Sequence, residues 1–258
     1  MTRVLVPLGP HGASARVLPV AAALARASDA SLEAVVVVPP GEAEAPAVEG
    51  AWEDARRGGV ELDATLVRHD DDVLSALVEE SRRGPTLLCM ATHARGAVED
   101  EAIRSLSFAV ARRSLEPLVL VGPEVPGDRP TRLDGVVACV DERAPATGVL
   151  VAALPWARSL GGIHVVEVVD PPDTGGEGEG WTSAPVAAAF AGEGLHTEWD
   201  VLRGRDPAQA ILAAVRRCGH PLVVMGAQGV EGGRPHLGHV TSAVVRAAPS
   251  PVLLVPPR

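Results

Sequence analysis

The sequence predicts an α/β fold made of two tandem open five-stranded parallel sheets with helices on both faces. Short continuous apolar runs alternate with segments of helical periodicity, as expected of parallel strands joined by crossover helices. The hydrophobic content is 47%, yet aromatic residues make up only 2%, which suits buried strands packed under alanine-rich helices. The sequence also repeats itself, because Val4 to Pro40 superposes on Val136 to Pro172 without a gap. One structural unit therefore occurs twice.

In the first unit, apolar runs predict strands and helical periodicity predicts the helices between them. The predicted strands are Val4–Leu8, Ala34–Val38, Val60–Val67, Thr86–Met90 and Leu118–Val121. The predicted helices lie near Ala13–Ala27, Asp71–Arg83 and Ala102–Ser114. Gly41–Pro46 is rich in Gly, Pro and Glu, so we interpret it as a linker-like loop or a frayed helix. Asp70, Asp71 and Asp72 stand where a helix begins, where carboxylates favour the positive end of the helix dipole.

The second unit repeats this pattern, since Asp71, Leu77 and Met90 pair with Asp206, Leu212 and Met225. Its predicted strands are Gly135–Val140, Ile163–Val169, His196–Val201, Leu222–Met225 and Val252–Val255. Asp170–Gly180 occupies the place that Gly41–Pro46 has in the first unit. The proline-containing stretch Gly122–Leu133 has no apolar periodicity. We therefore predict domains at residues 1–127 and 131–258.

Composition excludes several classes of function. The formal net charge of −10 and the pI of about 5.3 argue against binding to nucleic acid or to anionic membrane surfaces, because both need clustered cations. No apolar run reaches the roughly 18 residues of a membrane span, so we expect a cytoplasmic protein. Cys89 and Cys139 lie in predicted strands, and no cysteine has an activating neighbour in the sequence. All three cysteines are therefore expected to be reduced and unreactive.

The candidate ligand site lies in the second unit, at the carboxyl ends of its strands. Ligands of open parallel sheets bind there, where the strand order reverses. The relevant loops are Asp141–Arg143, after the first strand, and Gly226–Gly238, after the fourth. Glycines let the backbone approach a phosphate, and the first N–H groups of the helix that follows have no partner inside it.

These motifs resemble those of universal stress proteins. The strand Val136–Val140 ends at Asp141, Gly226-x-x-Gly229 is followed by Gly238, and Leu237–Val255 resembles the family's terminal helix and strand. With both halves similar apart from the variable stretches, the chain resembles a tandem universal stress protein. The resemblance implies a Rossmann-like fold, of the adenine nucleotide alpha hydrolase-like type, with sheet order 3-2-1-4-5.

The resemblance also implies that the second unit binds ATP or a related adenine nucleotide, with or without magnesium. The residues that would form this site are Asp141 near the ribose, Val168 at the adenine, and Gly226, Gly229, Gly238, His239 and Val240 around the phosphates. Two features depart from the family pattern. The loop between Gly229 and Gly238 is one residue short, and His239 stands where the ATP-binding branch has Ser or Thr.

The first unit lacks this set of residues. Gly9 replaces the aspartate, and Ala91, Ala94 and Arg104 replace the three glycines. The loop between them contains Glu99–Glu101, whose carboxylates oppose an anion by about 1 kcal/mol each even at 4 Å in water. We therefore expect this unit to reject nucleotides.

Three functions are open at this stage. The first is a sensing or regulatory protein that binds a nucleotide in its second unit, the second is a scaffold that binds no nucleotide, and the third is a slow ATPase. No nucleophile elbow is present, so no catalytic residue is predicted. His236 and His239 are too few ligands for a metal site.

The fifth strands, Leu118–Val121 and Val252–Val255, are expected to lie at sheet edges. An apolar edge strand without a partner can pair with another chain and aggregate, so we predict that these two strands pair with each other. The family resemblance implies the same pairing, and a homodimer of the chain is a further expectation.

Overall fold

In a computed structural model, the described residues are 2–9, 16–92, 106–127, 131–140, 146–169, 190, 194–229 and 236–257. The chain divides into two compact units, Met1–Arg132 and Leu133–Arg258. Of the helices in the described ranges, none is both long and apolar enough to cross a membrane.

The first unit alternates strands with helices. Its strands are β1 (Arg3–Pro7), β2 (Ser31–Val38), β3 (Ala64–His69), β4 (Thr86–Ala91) and β5 (Leu118–Val121). Its helices are α1 (Leu18–Ser28), α2 (Ala45–Arg57), α3 (Val73–Ser81) and α4 (106–113). The strands pair in parallel in the order β3-β2-β1-β4-β5. Every residue of β4 and β5 is buried, because these strands are covered on both faces.

The second unit has the same strand order. Its strands are β6 (Val136–Val140), β7 (Ile163–Val169), β8 (Thr197–Arg203), β9 (Leu222–Gly226), β10 (Gln228–Gly229), β11 (His236–Leu237) and β12 (Val252–Val255). Its helices are α5 (Ala146–Leu160), α6 (Pro207–Arg217) and α7 (His239–Ala247). The parallel order is β8-β7-β6-β9-β12. A separate antiparallel hairpin joins β10 to β11.

The predicted α/β fold is confirmed, and the order 3-2-1-4-5 occurs in each unit. The finer prediction of two separate five-stranded sheets is not supported by the strand order. The structure supports an α/β fold with a mostly parallel sheet and flanking helices. The pairing of the two fifth strands stays a prediction.

The stretch interpreted as a loop or a frayed helix, Gly41–Pro46, instead leads into a regular helix. Helix α2 begins at Ala45 and continues to Arg57. Proline is tolerated in the first turn of a helix, where its missing N–H would have no intrahelical partner. The counterpart stretch, Asp170–Gly180, lies outside the described residues.

Aspartates cap two equivalent helices, as the sequence predicted for the first of them. Asp72 precedes α3 and accepts hydrogen bonds from the Ser75 amide, at 3.2 Å, and from the Ser75 hydroxyl, at 2.6 Å. Asp206 precedes α6 and accepts one from the Gln209 amide at 3.1 Å. Asp72, and not Asp71, is therefore the structural counterpart of Asp206.

Candidate functional site

The candidate site is built at the carboxyl end of β9, in the segment between this strand and helix α7. The main-chain N–H of Gly238 donates to the carbonyl of Ala227 at 3.2 Å. The β10–β11 hairpin sets Gly229 opposite His236. The predicted loop Gly226–Gly238 therefore contains a pair of short strands, while residues 230–235 lie outside the described residues.

Thr241 fixes the start of helix α7 against strand β9. Its hydroxyl donates to the carbonyl of Gly226 at 2.9 Å, and the residue is only 5% exposed. Sequence reasoning did not identify this residue. Its position three residues after Gly238, on the first turn of a predicted helix, was the signal that could have found it.

The amino end of α7 has no side-chain cap, because its N-cap residue is Gly238. The amide of Ser242 is bonded to the carbonyl of Gly238 at 2.8 Å. The N–H groups of residues 239 to 241 come earlier and so have no partner within the helix. The first turn contains no acidic residue. This end of the helix therefore favours an anion.

Gly226 is the glycine for which the structure gives the clearest reason. A Cβ added there would meet no atom within 4 Å, so the space beside the residue is open. The absence of a side chain lets another molecule approach the backbone at this point. His239 begins α7 with its side chain exposed, and Val240 follows it half-buried.

Strand register places the adenine and ribose positions beside this glycine. Ala138 pairs with Val224, and Val140 pairs with Glu167. The chain therefore leaves β6 at the level of Val168 on one side and of Gly226 on the other. Val168 is half-buried and pairs with Leu202 of β8. Asp141 lies outside the described residues, so its predicted role stays a prediction.

Two ionisable groups near the carboxyl ends of β6 and β7 are buried. Glu167, next to Val168, is only 2% exposed, and sequence reasoning missed it because it interrupts an apolar run. Burial raises the pKa of Cys139 on β6 to about 12, so its thiol is unreactive. Cys89 on β4 is buried in the same way, and burial raises its pKa too. Both agree with the predicted reduced core thiols.

No cluster suited to a metal is found in the described part of the chain. No group of three or more His, Cys, Asp or Glu residues there could hold a metal ion. The side chain of His236 is outside the described residues, so the pair it forms with His239 in the sequence is not tested.

This arrangement of strand, glycine loop and helix start has a match among known families. Residues 134–256 match the Universal stress protein family. The match spans the second unit, so this unit contains a universal stress protein domain. No curated protein matches the chain.

Solved structures extend the likeness to the whole chain at the level of fold. A universal stress protein from Archaeoglobus fulgidus DSM 4304 is 15% identical with a TM-score of 0.66, over 98% of this chain and 98% of that one. A candidate universal stress protein from Pseudomonas aeruginosa UCBPP-PA14 is 16% identical with a TM-score of 0.64, over 100% and 94%. The cytoplasmic domain of a prokaryotic cation chloride cotransporter is 14% identical with a TM-score of 0.50, over 98% and 94%. Because the fold also occurs in a transporter domain, it does not by itself specify a function.

Proposed function

We propose that the chain is a tandem universal stress protein whose second unit binds ATP or a related adenine nucleotide as a regulatory ligand. The observation that carries the proposal is the open space at Gly226 beside an uncapped helix start at Gly238. A phosphate chain placed there would accept hydrogen bonds from backbone N–H groups and gain from the positive end of the helix dipole.

The positions around this point suit the remainder of a nucleotide. Val168 is the penultimate residue of β7 and Gly226 is the last residue of β9, with β6 between the two strands. Neighbouring strands lie about 4.8 Å apart, so roughly 10 Å separates the two residues. A ribose lying over β6 would bridge them, and Asp141 follows β6 in the sequence.

His239 takes the place of the Ser or Thr of the ATP-binding branch. Its exposed imidazole can donate one hydrogen bond to a phosphate oxygen and adds charge when protonated. Magnesium, if bound, would depend on the phosphates for part of its coordination, since magnesium sites commonly combine one or two carboxylates with substrate phosphates. The Asp141 carboxylate is the candidate from this chain.

Isothermal titration calorimetry tests the proposal with ATP, ADP, AMP and cyclic dinucleotides in the presence of magnesium. Wild type should bind at least one of these adenine nucleotides. Gly226→Val should abolish binding without unfolding the protein, because open space surrounds the position and its φ is not in the left-handed region. Gly9→Val is the matched control, since an added Cβ at Gly9 in the first unit also meets no atom within 4 Å.

Heat from wild type and from Gly9→Val, but not from Gly226→Val, would support the proposal. Absence of heat with every nucleotide would overturn it and favour the non-nucleotide scaffold. Phosphate release that exceeds background and is lost in Gly226→Val would instead favour a slow ATPase.

A further inference from the structure

A cavity lies in the same unit at the opposite ends of the strands. It has a volume of about 530 Å³ and surrounds the amino ends of β6, β7 and β8. Charged and polar side chains are prominent in its lining: Asp134, His164, His196, Glu198, Asp200, Arg217 and Cys218. The candidate nucleotide site is at the carboxyl ends, so this cavity is separate from it.

Cys218, His164 and Asp200 form a connected series in this cavity. The Sγ atom of Cys218 lies 3.1 Å from Nδ1 of His164, and Nε2 of the same ring lies 3.2 Å from Oδ2 of Asp200. Arg217 Nη2 also lies 3.2 Å from that oxygen. Because a carboxylate only accepts, Nε2 of a neutral imidazole carries the hydrogen, and the free Nδ1 lone pair faces the thiol.

We propose that Cys218 is a reactive thiol that adds to neutral, conjugated carbonyl compounds held in the cavity, with His164 as the base. The sulfur forms a bond to the β-carbon of the acceptor as the thiol proton moves to Nδ1 of His164. The π electrons of the carbon–carbon double bond shift to give an enolate, which then takes the proton from Nδ1 at its α-carbon. Nothing leaves, and the product is a thioether.

The addition needs no leaving group, because the proton that His164 takes from the thiol is returned to the product. The main-chain amide of Cys218 takes no part, since it donates to the carbonyl of Val215 at 3.1 Å. Asp200 is a positioning residue, because it holds the imidazole with Nδ1 towards the sulfur and stabilises the imidazolium that forms.

The charges around the Cys218 thiol explain why its reaction needs a base and why the acceptor should be neutral. Burial, together with the nearby Glu198 and Asp200 carboxylates, raises the pKa of Cys218, while Arg217 opposes this. Cys218 also stands at the negative end of helix α6, which disfavours a thiolate. Three carboxylates and one guanidinium line the cavity, so neutral acceptors are favoured over anionic ones.

The first unit does not share these side chains, although it shares the strand order. Leu32 and Arg83 stand at the positions that align with His164 and Cys218. Thr65 pairs with Ala34 as Asp200 pairs with Val166, so Thr65 is the counterpart of Asp200. The shared fold therefore does not require a cysteine, a histidine and an aspartate here.

The test measures the reaction of the full chain with N-ethylmaleimide, a neutral conjugated carbonyl compound, by intact mass and peptide mapping. Cys218 should be labelled at neutral pH, while the buried Cys89 and Cys139 stay unlabelled and so report on folding. His164→Gln should slow labelling of Cys218 at least tenfold. Asp200→Asn, at a position where the side chain is 42% exposed, should slow it severalfold without unfolding the chain.

The pH profile separates a base from a merely structural residue. The titratable and charged groups that line the cavity together with the imidazole and the thiol are Glu198, Asp200, His196, Asp134 and Arg217. In wild type, the rate should level off once the imidazole is neutral. In His164→Gln it should keep rising with pH, because only the thiolate then reacts. An anionic maleimide should react more slowly than the neutral one, relative to their rates with free glutathione.

Equal rates and pH profiles for wild type and His164→Gln would overturn the proposal, as would preferential reaction with the anionic maleimide. If Cys89 and Cys139 are labelled in His164→Gln, that variant has lost its fold, and Asp200→Asn is then the variant that tests the proposal. An unchanged rate and profile in that variant would then count against the proposal.

Discussion

Replacing Thr241 by valine should destabilise the second unit by about 1–2 kcal/mol. Valine keeps the shape of the side chain but removes the hydroxyl that donates to the Gly226 carbonyl. A hydrogen bond contributes about 1 kcal/mol net, and a buried group left without its partner costs about 1–3 kcal/mol. The lower part of that range applies because Gly226 is only half-buried, so water can partly replace the lost donor.

Thr65→Val provides a matched control with the opposite expected sign. The Thr65 hydroxyl oxygen is buried and has no hydrogen-bond partner in the described part of the structure. Its removal should therefore be neutral or stabilising. Comparing Thr241→Val with Thr65→Val therefore separates the effect of losing a hydrogen bond from the effect of losing a hydroxyl group.

Native-state hydrogen exchange in a urea series, read by mass spectrometry, gives the opening free energy of each unit separately. The reasoning is refuted if Thr241→Val leaves the second unit within about 0.3 kcal/mol of wild type. It is refuted equally if Thr65→Val destabilises the first unit as much.

Two further predictions concern the helix caps. Asp206→Ala should cost about 1 kcal/mol in helix α6, whereas Asp206→Asn, which keeps an acceptor, should cost less, as measured by urea unfolding. The hydrogen bonds from the Ser75 hydroxyl and amide hold the pKa of Asp72 below its usual value. The stabilisation that the ionised Asp72 carboxylate gives the folded state should be complete above the usual aspartate pKa. It should be lost as the pH falls through the lower pKa that Asp72 has in the folded state. Asp72→Asn should lack that acid-side loss, and an unchanged stability–pH curve in the variant would contradict this.

Strands buried on both faces were the most predictable elements. Leu118–Val121 and Val252–Val255 are buried throughout and have the bounds that their apolar runs indicated. Helix α2 was missed because its buried side, Ala51, Asp54 and Ala55, includes a carboxylate. A buried aspartate in a stretch otherwise rich in Glu and Arg weakens the apolar periodicity on which a helix prediction depends.

The candidate sites were predictable only where their residues are close in the sequence. The glycines of the second unit could be found in one segment, since they lie between a strand and the next helix. The sequence shows no neighbour for any thiol, whereas the structure places His164 Nδ1 3.1 Å from the Sγ atom of Cys218. Their contact depends on how β7 and α6 pack, which sequence spacing does not specify.

The two proposed sites follow from one property of the parallel fold. Helices α6 and α7 connect to the opposite ends of β9, because α6 ends before Leu222 and α7 begins after Gly226. One strand end therefore faces a positive helix terminus, and the other faces a negative one. The two proposals accordingly place an anionic nucleotide at the first and a neutral electrophile at the second. Saturating ATP should consequently leave the N-ethylmaleimide rate of Cys218 unchanged, and protection of Cys218 by ATP would place the nucleotide in the cavity at the amino ends, against both assignments.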